Sequence, residues 1–168
     1  MNKNTFLSLI VSLFLVVIQA QNLNQSIPVS SEVEIGQLEN GLTYYLQNNQ
    51  KPDDIVELRM VVNTGSVMED DDQLGLAHFL EHMAFNGTKS FEKNDIISYL
   101  QSIGVEFGAD LNAYTSFDET VYILPIPSEN FEDIDKGFQI LKEMIFDMTL
   151  YPEDIDAERG VVAEEYRT

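Results

Sequence analysis

The stretch Leu74-Gly75-Leu76-Ala77-His78-Phe79-Leu80-Glu81-His82-Met83-Ala84-Phe85 carries both histidines of a 168-residue chain. Chance placement of two histidines at this spacing, with glutamate just before the second, is on the order of one in a thousand. On a helix of 3.6 residues per turn, positions 78, 81 and 82 fall within an arc of about 100°, so both imidazoles and the carboxylate share one face. Every other side chain in the stretch is apolar or absent, which predicts a buried helix. Burying three ionisable groups on its polar face costs several kcal/mol without compensation, and a divalent cation satisfies two imidazoles and a carboxylate together. With no cysteine in the chain, two imidazoles and an oxygen ligand suit one zinc ion with an open position for water. Such a water is acidified, and Glu81, one residue from a ligand, is placed to take its proton.

The third ligand has to come from elsewhere. Ile155, Glu158, Val162 and Glu165 recur at spacings of 3, 4 and 3, so two carboxylates share the face that Ile155 and Val162 mark as inward. Glu165 is therefore assigned to the metal, and Glu158 to a supporting position where it orients a ligand. Glu164 falls roughly 200° from Val162 and faces outward, and it is the alternative ligand.

Outward from these two segments the chain alternates strands and helices. Val33 and Ile35 before Asn40-Gly41, with Leu42 to Leu46 after it, predict a hairpin. Ile55 to Asn63 is β-branched and predicts a largely buried strand. The acidic run Glu69 to Asp72 precedes the motif helix, where carboxylates satisfy free amides; it lacks calcium-loop spacing. Lys93 to Ser102 predicts a second helix, and Leu111 to Pro125 a hairpin or two neighbouring strands. Phe131, Ile134, Phe138, Leu141, Ile145 and Met148 repeat at 3 and 4, predicting a long helix with that stripe in the core. Pro152 opens a last helix predicted to run to Thr168. The expected class is α+β, a two-layer sandwich of a mostly antiparallel or mixed sheet with helices on one face.

Composition narrows the function further. Twenty-nine acidic side chains against 9 basic ones leave a net charge of −20, which repels a phosphate backbone and excludes nucleic acid as a partner. The opening Met1-Asn2-Lys3, the apolar run Phe6 to Ile18 and Gln19-Ala20 read as a signal peptide over residues 1–20, cleaved near Ala20. That run falls short of the ~20 residues a spanning helix needs, so the mature chain is expected to be exported, periplasmic or secreted, with no stable membrane anchor. Residues 21–31 read as an extended lead-in, and 32–168 as the folded domain.

Three blocks in series, His78-Phe-Leu-Glu-His-Met-Ala-Phe-Asn-Gly-Thr-Lys, Gly108-Ala-Asp-Leu-Asn-Ala-Tyr-Thr-Ser-Phe-Asp-Glu-Thr-Val-Tyr and Glu158-Arg-Gly-Val-Val-Ala-Glu-Glu, resemble the N-terminal catalytic domain of the pitrilysin (insulinase) family of zinc peptidases. His-x-x-Glu-His is its inverted zinc motif. The resemblance implies the mitochondrial-processing-peptidase/insulinase metallohydrolase fold, zinc on His78, His82 and Glu165, Glu81 as general base and Glu158 nearby. It also implies that Asn112 and Ala113 lie on an edge strand to which a peptide substrate adds. The activity implied is that of a zinc metalloendopeptidase, with a second homologous domain or subunit closing a chamber. Family members are far longer, so residues 32–168 read as a domain incomplete at its C-terminus. The competing reading is a catalytically incompetent fragment or partner subunit that holds zinc or peptide without efficient cleavage. S-ribosylhomocysteine lyase looks similar at the motif but completes its site with cysteine, which sets that small-molecule chemistry aside.

Overall fold

The computed structural model describes residues 27–105 and 112–167. The proposed signal peptide and the Gly108–Leu111 part of the second block lie outside the described residues. The described chain divides into two compact units at Gln50/Lys51.

The first unit holds a hairpin of β1 (Val33–Gln37) and β2 (Thr43–Gln47), antiparallel with Ile35 opposite Tyr45. Its turn contains Asn40-Gly41, with Gly41 in the left-handed region at φ 89°. The Leu42 amide donates to Asn40 Oδ1, the local side-chain bond that makes asparagine a turn residue.

The second unit runs β3 (Ile55–Val62), α1 (Leu76–Met83), α2 (Asp95–Ser102), β4 (Asn112–Thr115), β5 (Thr120–Pro127), α3 (Phe131–Phe146) and α4 (Pro152–Glu165). The three strands form an antiparallel sheet in the order β3-β5-β4. Leu58 opposite Leu124 and Val56 opposite Ile126 put these side chains on one face. There they join Ile96 and Leu100 of α2 and Ile140, Leu141 and Met144 of α3 in one core. Helices thus cover the face carrying Leu58, Leu124 and Ile126, and the two-layer α+β expectation holds.

β3 departs from expectation: only Leu58 is buried and alternate residues from Ile55 to Val61 are exposed. A strand covered on one face alternates, whereas a continuous β-branched run suggests cover on both. The α3 stripe is also shifted. Phe131 and Phe138 are 81% and 56% exposed, while Gly137, Ile140, Leu141 and Met144 are buried. The cause is Gly137: a Cβ there would lie 2.8 Å from Ile126 Cγ1 and 3.1 Å from Leu58 Cδ1. Its missing side chain lets the helix seat on the sheet along that face, and the two phenylalanines rotate outward. The last helix ends at Glu165 with Tyr166 as its cap, short of the expected Thr168.

One buried carboxylate ties the α1 exit loop to α3. Glu143, 5% exposed, accepts hydrogen bonds from Thr88 Oγ1 at 2.8 Å, the Ser90 amide at 2.9 Å and Gln139 Nε2 at 2.9 Å. Burial pushes its pKa up, but the bonds from Gln139, Thr88 and Ser90 outweigh that and bring it down to about 2.

Candidate metal centre

The α1 helix begins at Gly75, whose φ of 88° lies in the left-handed region open to glycine. Its first amides are satisfied by a side chain from the preceding acidic run. Glu69 accepts from the Ala77 amide at 2.8 Å and the Gly75 amide at 2.7 Å, and these two bonds hold its carboxyl below the usual range. The helix is less enclosed than its composition suggests: Leu74 and Leu76 are exposed, whereas Glu81 is only 7% exposed. Apolar composition cannot tell a helix wrapped by its own domain from one whose apolar residues face outward; the neighbours decide.

α1 packs against α4 on one side and β4 on another. Across the α1/α4 contact, His78 Nε2 and His82 Nε2 lie 3.2 Å apart, and Glu165 Oε2 is 3.4 Å from each. Among the described residues these three form the one group of histidine and acidic side chains close enough to hold a metal ion. Tetrahedral zinc with bonds of about 2.0–2.1 Å separates neighbouring ligand atoms by about 3.3 Å, and the three edges match that length. Three electron-rich donors so close repel one another without a cation or a shared proton at their centre, so the donor set fits a divalent metal.

His82 is held from behind. Its Nδ1 lies 2.9 Å from Glu158 Oε1, and the other carboxylate oxygen accepts from Asn86 Nδ2 at 2.8 Å. A carboxylate cannot donate, so Nδ1 carries the proton and Nε2 presents its lone pair to the cluster. His78 is less enclosed, with the Tyr166 ring edge-on at a centroid distance of 6.0 Å. The open side of the group is Glu165, half exposed. Glu164 turns away and pairs with Arg167 at 3.0 Å, so among the described residues it takes no part in the group.

Glu81 points from the same helix toward the sheet, where its Oε2 accepts from Thr115 Oγ1 at 2.7 Å. Tyr122 lies nearby: burial raises its hydroxyl pKa, and the negative charge of Glu81 adds to the rise. Asn112 and Ala113 are on β4, which among the described residues pairs with β5 alone and forms an edge of the three-stranded sheet. Asn112 is exposed and Ala113 half-buried. Sequence reasoning passed over Asn86 and Thr115, although both stand inside quoted blocks; the signal available was only their polarity amid apolar neighbours.

An α+β domain that gathers a His-x-x-Glu-His helix and a distant glutamate into a metal-sized group defines a class of inverted-motif metalloproteins. Residues 44–168 match the insulinase (peptidase family M16) family, and the chain belongs to it. It is 42% identical over 169 residues to a probable zinc protease PqqL of Haemophilus influenzae, a match covering 99% of this chain and 18% of that protein. The crystal structure of the periplasmic protease PqqL from Escherichia coli superposes with a TM-score of 0.82 at 42% identity, over 86% of this chain and 16% of that one. A ferredoxin protease, FusC, in complex with Arabidopsis ferredoxin superposes at 0.71 with 31% identity, over 80% of this chain and 15% of that one. The chain thus spans less than a fifth of the length of these relatives.

Proposed function

We propose that this chain carries the metal centre of an exported zinc metalloendopeptidase, with zinc on His78, His82 and Glu165 and Glu81 as general base. The observation that carries the reading is the triangle of donor atoms with edges of 3.2, 3.4 and 3.4 Å. Zinc bound there supplies Lewis acidity, acidifying water and polarising a peptide carbonyl. Glu81 takes the proton of the attacking water at Oε1, since Oε2 is engaged by Thr115, and returns it to the leaving amine. Glu158, clamped by Asn86, keeps the His82 ring oriented with Nε2 toward the centre. A peptide adds to the edge strand β4 along Asn112 and Ala113, which aligns its backbone through main-chain hydrogen bonds.

Residues 32–168 are read as part of an N-terminal peptidase domain, which a second homologous domain or subunit closes into a chamber. The far greater length of the relatives supports that reading. Residues 1–20 are read as a signal peptide cleaved near Ala20, and the periplasmic location of the Escherichia coli relative supports export. Sequencing the N-terminus of the mature protein tests that; a chain still beginning at Met1 would refute it.

The central test is zinc content and peptide cleavage together. The purified chain should bind one zinc, and an internally quenched peptide should be cut in a chelator-sensitive way. One bound zinc without cleavage would support the alternative, a chain that holds metal or peptide without efficient cleavage. Absence of zinc binding would overturn the site.

A further inference from the structure

We propose that Thr115 is a positioning residue for Glu81, and that it ties the orientation of this carboxylate to the edge strand β4. The proposal deepens the reading of Glu81 as general base and rests on it.

Thr115 is the last residue of β4, three positions after Asn112. Its Oγ1 donates to Glu81 Oε2 at 2.7 Å, across the contact between β4 and α1. The neighbouring hydroxyl, Thr120 Oγ1, lies 3.3 Å from Thr115 Oγ1 and donates to the Thr64 carbonyl at 2.9 Å. Neither an ionised carboxylate nor a carbonyl can return a proton, so each threonine's single hydroxyl hydrogen is committed: Thr115 to Glu81, Thr120 to Thr64. Thr115 and Thr120 are directly opposite in the β4–β5 register, and Thr64 follows the end of β3. The ends of all three strands therefore converge behind one glutamate.

The chemistry of such an arrangement is directional. A hydroxyl bonded to one carboxylate oxygen fixes the plane of the group and leaves its second oxygen facing the reacting proton. Because the donor stands on the strand that carries Asn112 and Ala113, a peptide that reshapes β4 on docking also moves the hydrogen bond that orients Glu81. A merely packed threonine would leave no such link, and its hydroxyl would be dispensable.

The test uses the zinc-loaded full chain. Thr115→Val removes the hydroxyl at nearly constant shape, and Thr115→Ser keeps it. The valine variant should lose about tenfold to a hundredfold in kcat on an internally quenched peptide, with KM changed by less than about threefold and one zinc retained. The serine variant should recover to within about threefold of the original chain. Undiminished kcat in the valine variant, equal impairment of the two variants, or loss of zinc would overturn the proposal. A second measurement needs no activity: the urea midpoint should fall on Thr115→Val when Glu81 is present, and stay unchanged when the same substitution is made on a Glu81→Ala chain. Equal falls in both backgrounds would overturn the link. If the original chain cuts no peptide, the proposed activity of the isolated chain fails and this cycle alone decides the role of Thr115.

Discussion

Glu81 and Glu143 are buried to nearly the same extent, 7% and 5% exposed, yet their surroundings differ. Glu143 collects three donors from three residues, and both of its oxygens are engaged. Among the described residues Glu81 accepts from one donor, Thr115, on one oxygen. A buried carboxylate surrounded by donors is stabilised in its charged form and acts as a structural pin. One that, among the described residues, accepts a single bond on one oxygen leaves the other for the proposed proton transfer. Burial alone does not separate the two roles, whereas the count and placement of donors does.

Substitution at each glutamate can break this contrast. The largest effect expected is on activity: Glu81→Gln should lower kcat by about 10²- to 10⁴-fold while zinc content and urea midpoint stay close to the original, read by peptide assay and metal analysis side by side. Loss of zinc in that variant would make Glu81 structural too. Next comes the ligand set. Glu165→Ala should weaken zinc binding by about a hundredfold or more in a competitive chelator titration. Glu164→Ala should leave it unchanged, and the reverse pattern would move the ligand to Glu164.

Glu143 should answer in stability instead. Its folded-state pKa of about 2 lies below the ordinary 4.5, so it contributes stability above about pH 4.5 that is lost as pH falls toward 2. Urea unfolding across that window should show the original chain losing about 2–3 kcal/mol more than Glu143→Gln. Parallel pH curves would remove the pin from the comparison. The smallest effect belongs to Asn86→Ala, which frees one oxygen of Glu158 but leaves its bond to His82. Zinc affinity should fall about threefold to tenfold, roughly 1 kcal/mol. A fall as large as that of Glu165→Ala would mean that Asn86 holds more than Glu158.

Much of the candidate site was legible because it is local. His78, Glu81 and His82 share a helix face whatever the helix packs against, and Glu158 and Glu165 share one by the same periodicity. A helical wheel favours Glu165 over Glu164 as the candidate ligand, and in the structure Glu165 approaches both imidazoles while Glu164 pairs with Arg167. Asn86 and Thr115 were not legible in the same way. Their partners, Glu158 and Glu81, lie 72 and 34 positions away, and nothing in local spacing selects a partner at that range.

The α3 stripe marks the same boundary. Its period of 3 and 4 established a helix, but the phase of burial was set by the absence of a side chain at Gly137, which admits Ile126 and Leu58. By itself, then, the sequence determined which residues form helices and strands, which side chains share a face, and which histidines and glutamates are candidates for metal chemistry, because these follow from backbone periodicity and donor type. Only the tertiary structure decided which helix face meets the sheet, which distant carboxylate oxygen lies 3.4 Å from both imidazoles, and which hydroxyl aims Glu81, because those depend on packing between segments far apart in the chain.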